Sequence, residues 1–273
     1  MATGPIGVFD SGYGGLTVLK EIQAALPQYD YLYLGDNARS PYGSRSFEVI
    51  YEYTWEGVQA LFAAGCSLVI LACNTASAKA LRTIQQKQLP IIAPNKRVLG
   101  VIRPSTEALG EYSKTKHVGI LATEGTVKSE SYVIELQKFA PDVVVNQHAC
   151  PMWVPLVENG MHQTPGGEYF IEKDLDLILA KDPKIDTILL GCTHYPILEK
   201  KIKSYLPDTI RVVSQGQIVA NRLGDYLNRH PEIEQVCSKN GEVRYLTTEN
   251  ADAFSEKASK LLNEKIKASH IHL

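Results

Sequence analysis

Short β-rich apolar runs alternate with longer amphipathic stretches along the whole of this chain, a pattern that restricts it to parallel sheets with crossover helices. Ile6-Gly7-Val8-Phe9, Tyr31-Leu32-Tyr33-Leu34, Leu68-Val69-Ile70-Leu71, Val118-Gly119-Ile120-Leu121, Val143-Val144-Val145, Thr187-Ile188-Leu189-Leu190 and Arg211-Val212-Val213 read as strands. Their near-continuous apolar character suits strands covered on both faces. Helical stretches are expected over 16–26, 47–64, up to Phe139, around 175–179 and over 197–206. Pro90 closes one helical segment, and Ile91-Ile92 reads as a further strand.

The pattern restarts at Val118, and 273 residues favour two domains over one. The expected fold class is α/β, with two similar lobes, each a mostly parallel sheet flanked by helices. Beyond Ser214 come a helix over 217–228, a strand at Val243-Arg244-Tyr245-Leu246 and a helix over 251–262. These supply too few strands for a separate sheet. Residues 1–98 and 214–273 are therefore assigned to a discontinuous first lobe and 99–213 to the second. The cleft between the lobes is the expected ligand site.

A formal charge of −2 without any Lys/Arg cluster argues against nucleic acid as a partner. No apolar segment approaches membrane-spanning length, and Met1-Ala2-Thr3-Gly4-Pro5 lacks the pattern of a signal peptide. The five cysteines (Cys66, Cys73, Cys150, Cys192 and Cys237) form an odd set without paired spacing. Free thiols in a reducing compartment, the cytoplasm, are the expectation.

Two of these cysteines occupy matched turns. Ala72-Cys73-Asn74-Thr75-Ala76 and Gly191-Cys192-Thr193-His194-Tyr195 each follow a buried-strand pattern and precede a helix-forming stretch. In α/β proteins the carboxyl ends of strands hold ligands, and a helix N-terminus favours a thiolate. One such cysteine is most often core packing; two in matched settings suggest one site reached from two sides. Cys66, Cys150 and Cys237 have no activating neighbours and are assigned to packing or surface.

Other candidates gather at strand ends. Asp10-Ser11-Gly12-Tyr13-Gly14-Gly15 is a glycine-rich turn, but Thr17 stands where a dinucleotide fingerprint needs its third glycine. The turn is read either as a cradle for a small anion or as a plain tight turn. His194 shares a strand end with Cys192 and can move a proton. Glu158 reads from its surroundings as a solvated helix acid. No Cys-x-x-Cys, His-Glu-x-x-His or P-loop occurs, so neither a metal nor a nucleotide site is expected.

Taken together, several segments resemble the glutamate racemases of the cofactor-independent aspartate/glutamate racemase superfamily. They are Gly7-Val8-Phe9-Asp10-Ser11-Gly12-Tyr13-Gly14-Gly15, Leu34-Gly35-Asp36-Asn37-Ala38-Arg39-Ser40-Pro41-Tyr42-Gly43, Ala72-Cys73-Asn74-Thr75-Ala76-Ser77, Gly125-Thr126-Val127, Cys150-Pro151 with Val154-Pro155-Leu156-Val157-Glu158, and Leu190-Gly191-Cys192-Thr193-His194-Tyr195-Pro196. Arg103-Pro104-Ser105 departs from the family's usual acidic residue, proline and glycine, and Ser214-Gln215-Gly216 from a common Asp-Ser pair. Both departures fall near the expected domain crossovers, where hinge behaviour or subunit contacts are the properties at stake.

The resemblance implies racemisation of glutamate by two bases without pyridoxal phosphate or metal, one cysteine removing the α-proton and the other protonating the opposite face. It implies that Asp10 assists Cys73, and that His194 with Glu158 assists Cys192. Cys73 would act on D-glutamate and Cys192 on L-glutamate. Asp10, Ser11, Tyr42, Gly43, Asn74, Thr75, Thr123, Thr193 and His194 would hold the substrate. The implied role is supply of D-glutamate for bacterial peptidoglycan, by a cytoplasmic homodimer. An aspartate racemase, a lyase or decarboxylase using a single cysteine, and a two-lobed binding protein remain alternatives.

Overall fold

The computed structural model describes residues 3–273 and contains two sheets, every strand pair in both being parallel. The first sheet is built from β1 (Ile6–Asp10), β2 (Tyr31–Gly35), β3 (Leu68–Leu71), β4 (Arg97–Gly100), and two strands from the end of the chain, β9 (Val243–Thr247) and β10 (Ala268–His270). The second contains β5 (His117–Ala122), β6 (Val144–Ala149), β7 (Thr187–Gly191) and β8 (Arg211–Val213). The orders are β10-β9-β2-β1-β3-β4 and β6-β5-β7-β8. The first four strands of each lobe thus follow one topology, as expected of two similar lobes.

β1, β2, β3 and β7 are buried along their whole length, the physical basis of the apolar runs. Side chains alternate between the two faces. Ile6, Val8, Tyr31, Tyr33 and Ile70 pack in one core with helices α1 (Leu16–Ala25), α10 (Gly216–Arg229) and α11 (Ala251–Leu262), while Phe9, Leu32, Leu34, Val69 and Leu71 pack with α2 (Phe47–Ala63) in the other. In the second lobe the faces are again distinct. Leu190 and Ile188 pack with Trp153, whereas Leu189 and Ile120 pack with Tyr132.

The Cys73 strand is followed by the short helix α3 (Asn74–Lys79). The second lobe adds α4 (Ile102–Tyr112), α5 (Glu124–Lys128), α6 (Ser131–Phe139), α7 (Trp153–Glu158), α8 (Pro165–Lys181) and α9 (Glu199–Tyr205). Two expectations are corrected, and one strand was not foreseen. Ile91 and Ile92 lie in the helical turn Leu89–Ile92, with Pro90 in its first turn, and are 82% and 56% exposed. The strand is instead β4, in which only Val98 is buried, so its apolar signal is diluted. The helix reaching Phe139 is two helices, broken where Glu130 takes φ 57°. β10 carried no signal because it is a short, largely exposed edge strand.

β4 also crosses the expected lobe boundary between residues 98 and 99, and pairs with β3 from Arg97 to Gly100. Among the described residues no helix is long and apolar enough to cross a membrane.

Candidate active site

In each sheet the chain steps from its first strand to one side and returns on the other, so the carboxyl ends of β1 with β3, and of β5 with β7, flank a crevice. These ends deliver Asp10 and Ser11, Cys73, Thr123, and Cys192-Thr193-His194. Cys73 and Cys192, one from each sheet, line a single recess. Ser11, Tyr42, Gly43, Asn74 and Thr75 line it from the first lobe, and Thr123, Thr193 and His194 from the second.

The two lobes approach through glycines. A Cβ at Gly14 would lie 2.3 Å from Thr193 Oγ1 and 2.5 Å from His194 Nδ1, and one at Gly43 would lie 2.9 Å from Thr123 Cβ. Gly125 N–H donates to the Gly43 carbonyl at 2.8 Å. Thr75 Oγ1 and Thr123 Oγ1 share a hydrogen bond at 2.9 Å.

Cys73 caps α3: its sulfur accepts from Ala76 N–H at 3.4 Å and lies 3.5 Å from Ser11 Oγ. Burial, and then the Asp10 carboxylate, push the thiol up to about 12 despite the opposing Ser11 and Ala76 hydrogen bonds. The expectation that a helix terminus favours thiolate at both cysteines therefore needs correction. At Cys73 desolvation outweighs the helix terminus. At Cys192 no α-helix begins, the next element being a single 3₁₀ turn at Tyr195–Leu198.

His194 takes over the electrostatic role on that side. Its Nδ1 lies 3.9 Å from Cys192 Sγ and its Nε2 3.0 Å from Glu158 Oε1, at the end of α7. Burial alone lowers the proton affinity of this imidazole. Its hydrogen bonds to Cys192 and Glu158 overcome that and raise it to about 10, so the ring is cationic at neutral pH. Glu158 is thus engaged with His194 instead of being a freely solvated helix acid.

Asp10 is fully buried; one oxygen accepts from Gly12 N–H at 2.9 Å and the other from Thr193 Oγ1 at 3.2 Å. Burial raises its pKa, while His194 and these hydrogen bonds oppose the rise. Asp10 therefore touches the second lobe as well as influencing Cys73. Tyr42 lines the recess, but its hydroxyl is bonded to Asp36.

The match to known proteins is consistent across the chain. Residues 6–223 fit the family model described as Asp/Glu/Hydantoin racemase. A protein from Ruegeria sp. (strain TM1040) named glutamate racemase is 42% identical over 271 residues, covering 96% of this chain and 97% of its own. The chain belongs to the Asp/Glu/hydantoin racemase family. Among solved structures, glutamate racemase isoform RacE1 from Bacillus anthracis superimposes with a TM-score of 0.90 at 32% identity, covering 100% of this chain and 99% of its own. The Francisella tularensis glutamate racemase solved with D-glutamate gives 0.86 at 28% identity, covering 100% and 98%.

Within this family member the structure also places residues that sequence reasoning passed over. Ser40 and Val154 line the recess, and Ser40 Oγ is buried without a hydrogen-bond partner among the described residues. Both lie inside segments that carry the family resemblance, so proximity in sequence to Tyr42 and Glu158 was the available signal. Cys150, assigned to packing, has its sulfur within 4.8 Å of ligand atoms of His148 and Asp174. That grouping joins a strand end to α8, so no sequence spacing announces it. His148 Nε2 and Asp174 Oδ1 already partner each other at 2.9 Å.

Proposed function

We propose that this chain interconverts L-glutamate and D-glutamate, with Cys73 and Cys192 as the two bases. The observation that carries this reading is that two thiols, one from each lobe, line the same recess in a chain of the racemase family. Inversion at one carbon needs a base and an acid on opposite sides of it.

In the L-to-D direction Cys192, as thiolate beside the His194 cation, takes the α-proton and becomes a thiol. Cys73, held as a thiol, gives its proton to the opposite face and becomes the thiolate. D-glutamate runs the same steps in reverse. One proton has moved from Cys73 to Cys192 per L-to-D turnover, and its return restores the starting state. The electron pair left at the α-carbon is stabilised by directed hydrogen bonds in a site sheltered from water. Ser11, Thr75, Thr123, the main chain at Tyr42, Gly43 and Thr193, and the Ser40 hydroxyl supply donors to the substrate's carboxylates. Asp10 assists at Cys73, and His194 with Glu158 at Cys192.

The role proposed for the product is D-glutamate for peptidoglycan, made in the cytoplasm by a homodimer. The lobes are proposed to divide next to β4, with 214–273 completing the first. The test is incubation of each enantiomer in deuterated water with wild type, Cys73→Ser and Cys192→Ser, following α-deuteration and optical rotation. Wild type is expected to deuterate and invert glutamate, and each variant to lose inversion. Wild type that does neither, or single variants with full activity, would overturn the reading.

A further inference from the structure

The segments 103–105 and 214–216 meet in the structure through Gln215 and Ser105, and Gln215 also reaches the residue after Cys73. Gln215, at the start of α10, is buried, as are Asn74 of α3, Ser105 of α4 and Tyr132 of α6. Asn74 Nδ2 donates to Gln215 Oε1 at 2.7 Å, Gln215 Nε2 donates to the Tyr132 hydroxyl at 2.8 Å, and that hydroxyl donates to Asn74 Oδ1 at 2.7 Å. The three side chains close a ring in which each acts once as donor and once as acceptor. The other Gln215 Nε2 hydrogen goes to Ser105 Oγ at 2.7 Å, and Ser105 in turn donates to the Val101 carbonyl at 2.8 Å.

A closed ring of this kind can run in either of two senses, and Ser105, which gives its hydrogen to the Val101 carbonyl and so can only accept from Gln215, selects the one observed. Turning either amide over sets like groups against each other, and a buried unpaired polar group is strongly unfavourable. Asn74 follows Cys73 and is the first residue of α3, so fixing its side chain fixes the turn that presents the thiol. The ring also joins that turn to α4, α6 and the start of α10. With one Oδ1 lone pair taken by Tyr132 and one Nδ2 hydrogen given to Gln215, the Asn74 side chain keeps one donor and one acceptor position for a substrate.

We infer that Gln215 is a positioning residue for the Cys73 side of the reaction, holding Asn74 in a closed ring with Tyr132 and braced by Ser105. The inference rests on the two-cysteine reading of the site but is tested partly without it.

The experiment uses the full chain as wild type, Gln215→Glu and Tyr132→Phe, with thermal melting to establish that each is folded. A glutamic acid matches glutamine in shape and, when protonated, keeps one donor. An ionised carboxylate has none to offer Tyr132 or Ser105. kcat/KM of Gln215→Glu is therefore expected to fall about tenfold or more as pH rises through the ionisation of the new carboxyl, an ionisation absent from the wild-type profile. Tyr132→Phe, which removes one oxygen, is expected to lower kcat/KM about tenfold for both enantiomers, with kcat affected more than KM. Peptide-resolved alkylation by iodoacetamide supplies a second readout, in which the rate at Cys73 relative to Cys192 shifts at least threefold in both variants. A folded Tyr132→Phe that keeps the wild-type alkylation ratio overturns the inference, whether or not Gln215→Glu folds. If wild type fails to racemise glutamate while the ratio still shifts, the functional reading falls and the positioning role stands.

Discussion

His194 Nε2 and Glu158 Oε1 are 3.0 Å apart, with the imidazole almost wholly buried and the carboxylate side chain 23% exposed. The acid reaches in from the rim of the site, and the ring passes its influence to Cys192. The arrangement differs from that at Cys73, where a buried Asp10 and a serine surround a neutral thiol. The two thiols therefore have different neighbours, His194 beside Cys192 and Ser11 with Asp10 beside Cys73.

Replacing Glu158 by glutamine tests the Cys192 side. Loss of the carboxylate lowers the proton affinity of His194, so the alkaline limb of the kcat/KM profile is expected to move down from near pH 10. A fall of about tenfold in kcat/KM at pH 8 is expected, equivalent to roughly 1.4 kcal/mol. A pH-rate series on both proteins measures it, and an unmoved limb would refute the assignment.

The same ring should mark the stability curve. His194 has a folded-state pKa raised from 6.5 to about 10, so the folded state binds its proton more tightly. Its stabilisation is fully present below pH 6.5 and is lost as pH rises through about 10. Urea midpoints are expected to fall over that interval in wild type, and to fall less in Glu158→Gln. Equal slopes in the two proteins would contradict the linkage.

Asp10→Asn addresses the Cys73 side. Removing the carboxylate takes away a charge that pushes the Cys73 thiol up. Iodoacetamide is then expected to alkylate Cys73 several-fold faster at pH 9, because more thiolate is present. Racemisation should nevertheless fall by about 100-fold, since an amide in place of the carboxylate meets Gly12 N–H and Thr193 Oγ1 with only one acceptor. Peptide mass spectrometry and polarimetry report the two effects separately.

Gly14→Ala probes the close approach of the lobes. Its Cβ would enter space held by Thr193 and His194, and a loss of about 100-fold in kcat/KM is expected from displacing them. Gly166→Ala is the control. Gly166 is helical with open space around its Cβ position, so a gain of about 0.5–1 kcal/mol in stability with unchanged kinetics is expected. Kinetics and melting curves for the pair decide whether the effect is local to the site.

Cys66→Ala separates packing cysteines from reacting ones. Cys66 is fully buried in the core that α2 covers. A stability loss of about 1 kcal/mol with unaltered racemisation is expected. Loss of activity in a folded Cys66→Ala would show that a third thiol is involved.

Much of this molecule was legible as pattern. Period and composition located most strands, and both cysteine turns stood out because each followed a fully buried strand. Legibility failed where exposure and burial depart from local hydrophobicity. Ile91 and Ile92 look like a strand but face solvent, whereas Arg97–Gly100 looks mixed yet pairs along its length with β3. β10 failed for the same reason, being a mostly exposed edge strand.

The sequence by itself determined the α/β class, the repeated strand–turn arrangement and the candidates Cys73 and Cys192, because these depend on residues close together in the chain. Only the tertiary structure decided what surrounds them: Asp10 on Thr193, Glu158 on His194, Gln215 on Ser105 and Asn74. Those contacts join distant segments, and their effect on protonation depends on burial that no local pattern reports. A helix terminus read from sequence favours thiolate at Cys73, but desolvation in the folded protein is larger and makes it a thiol.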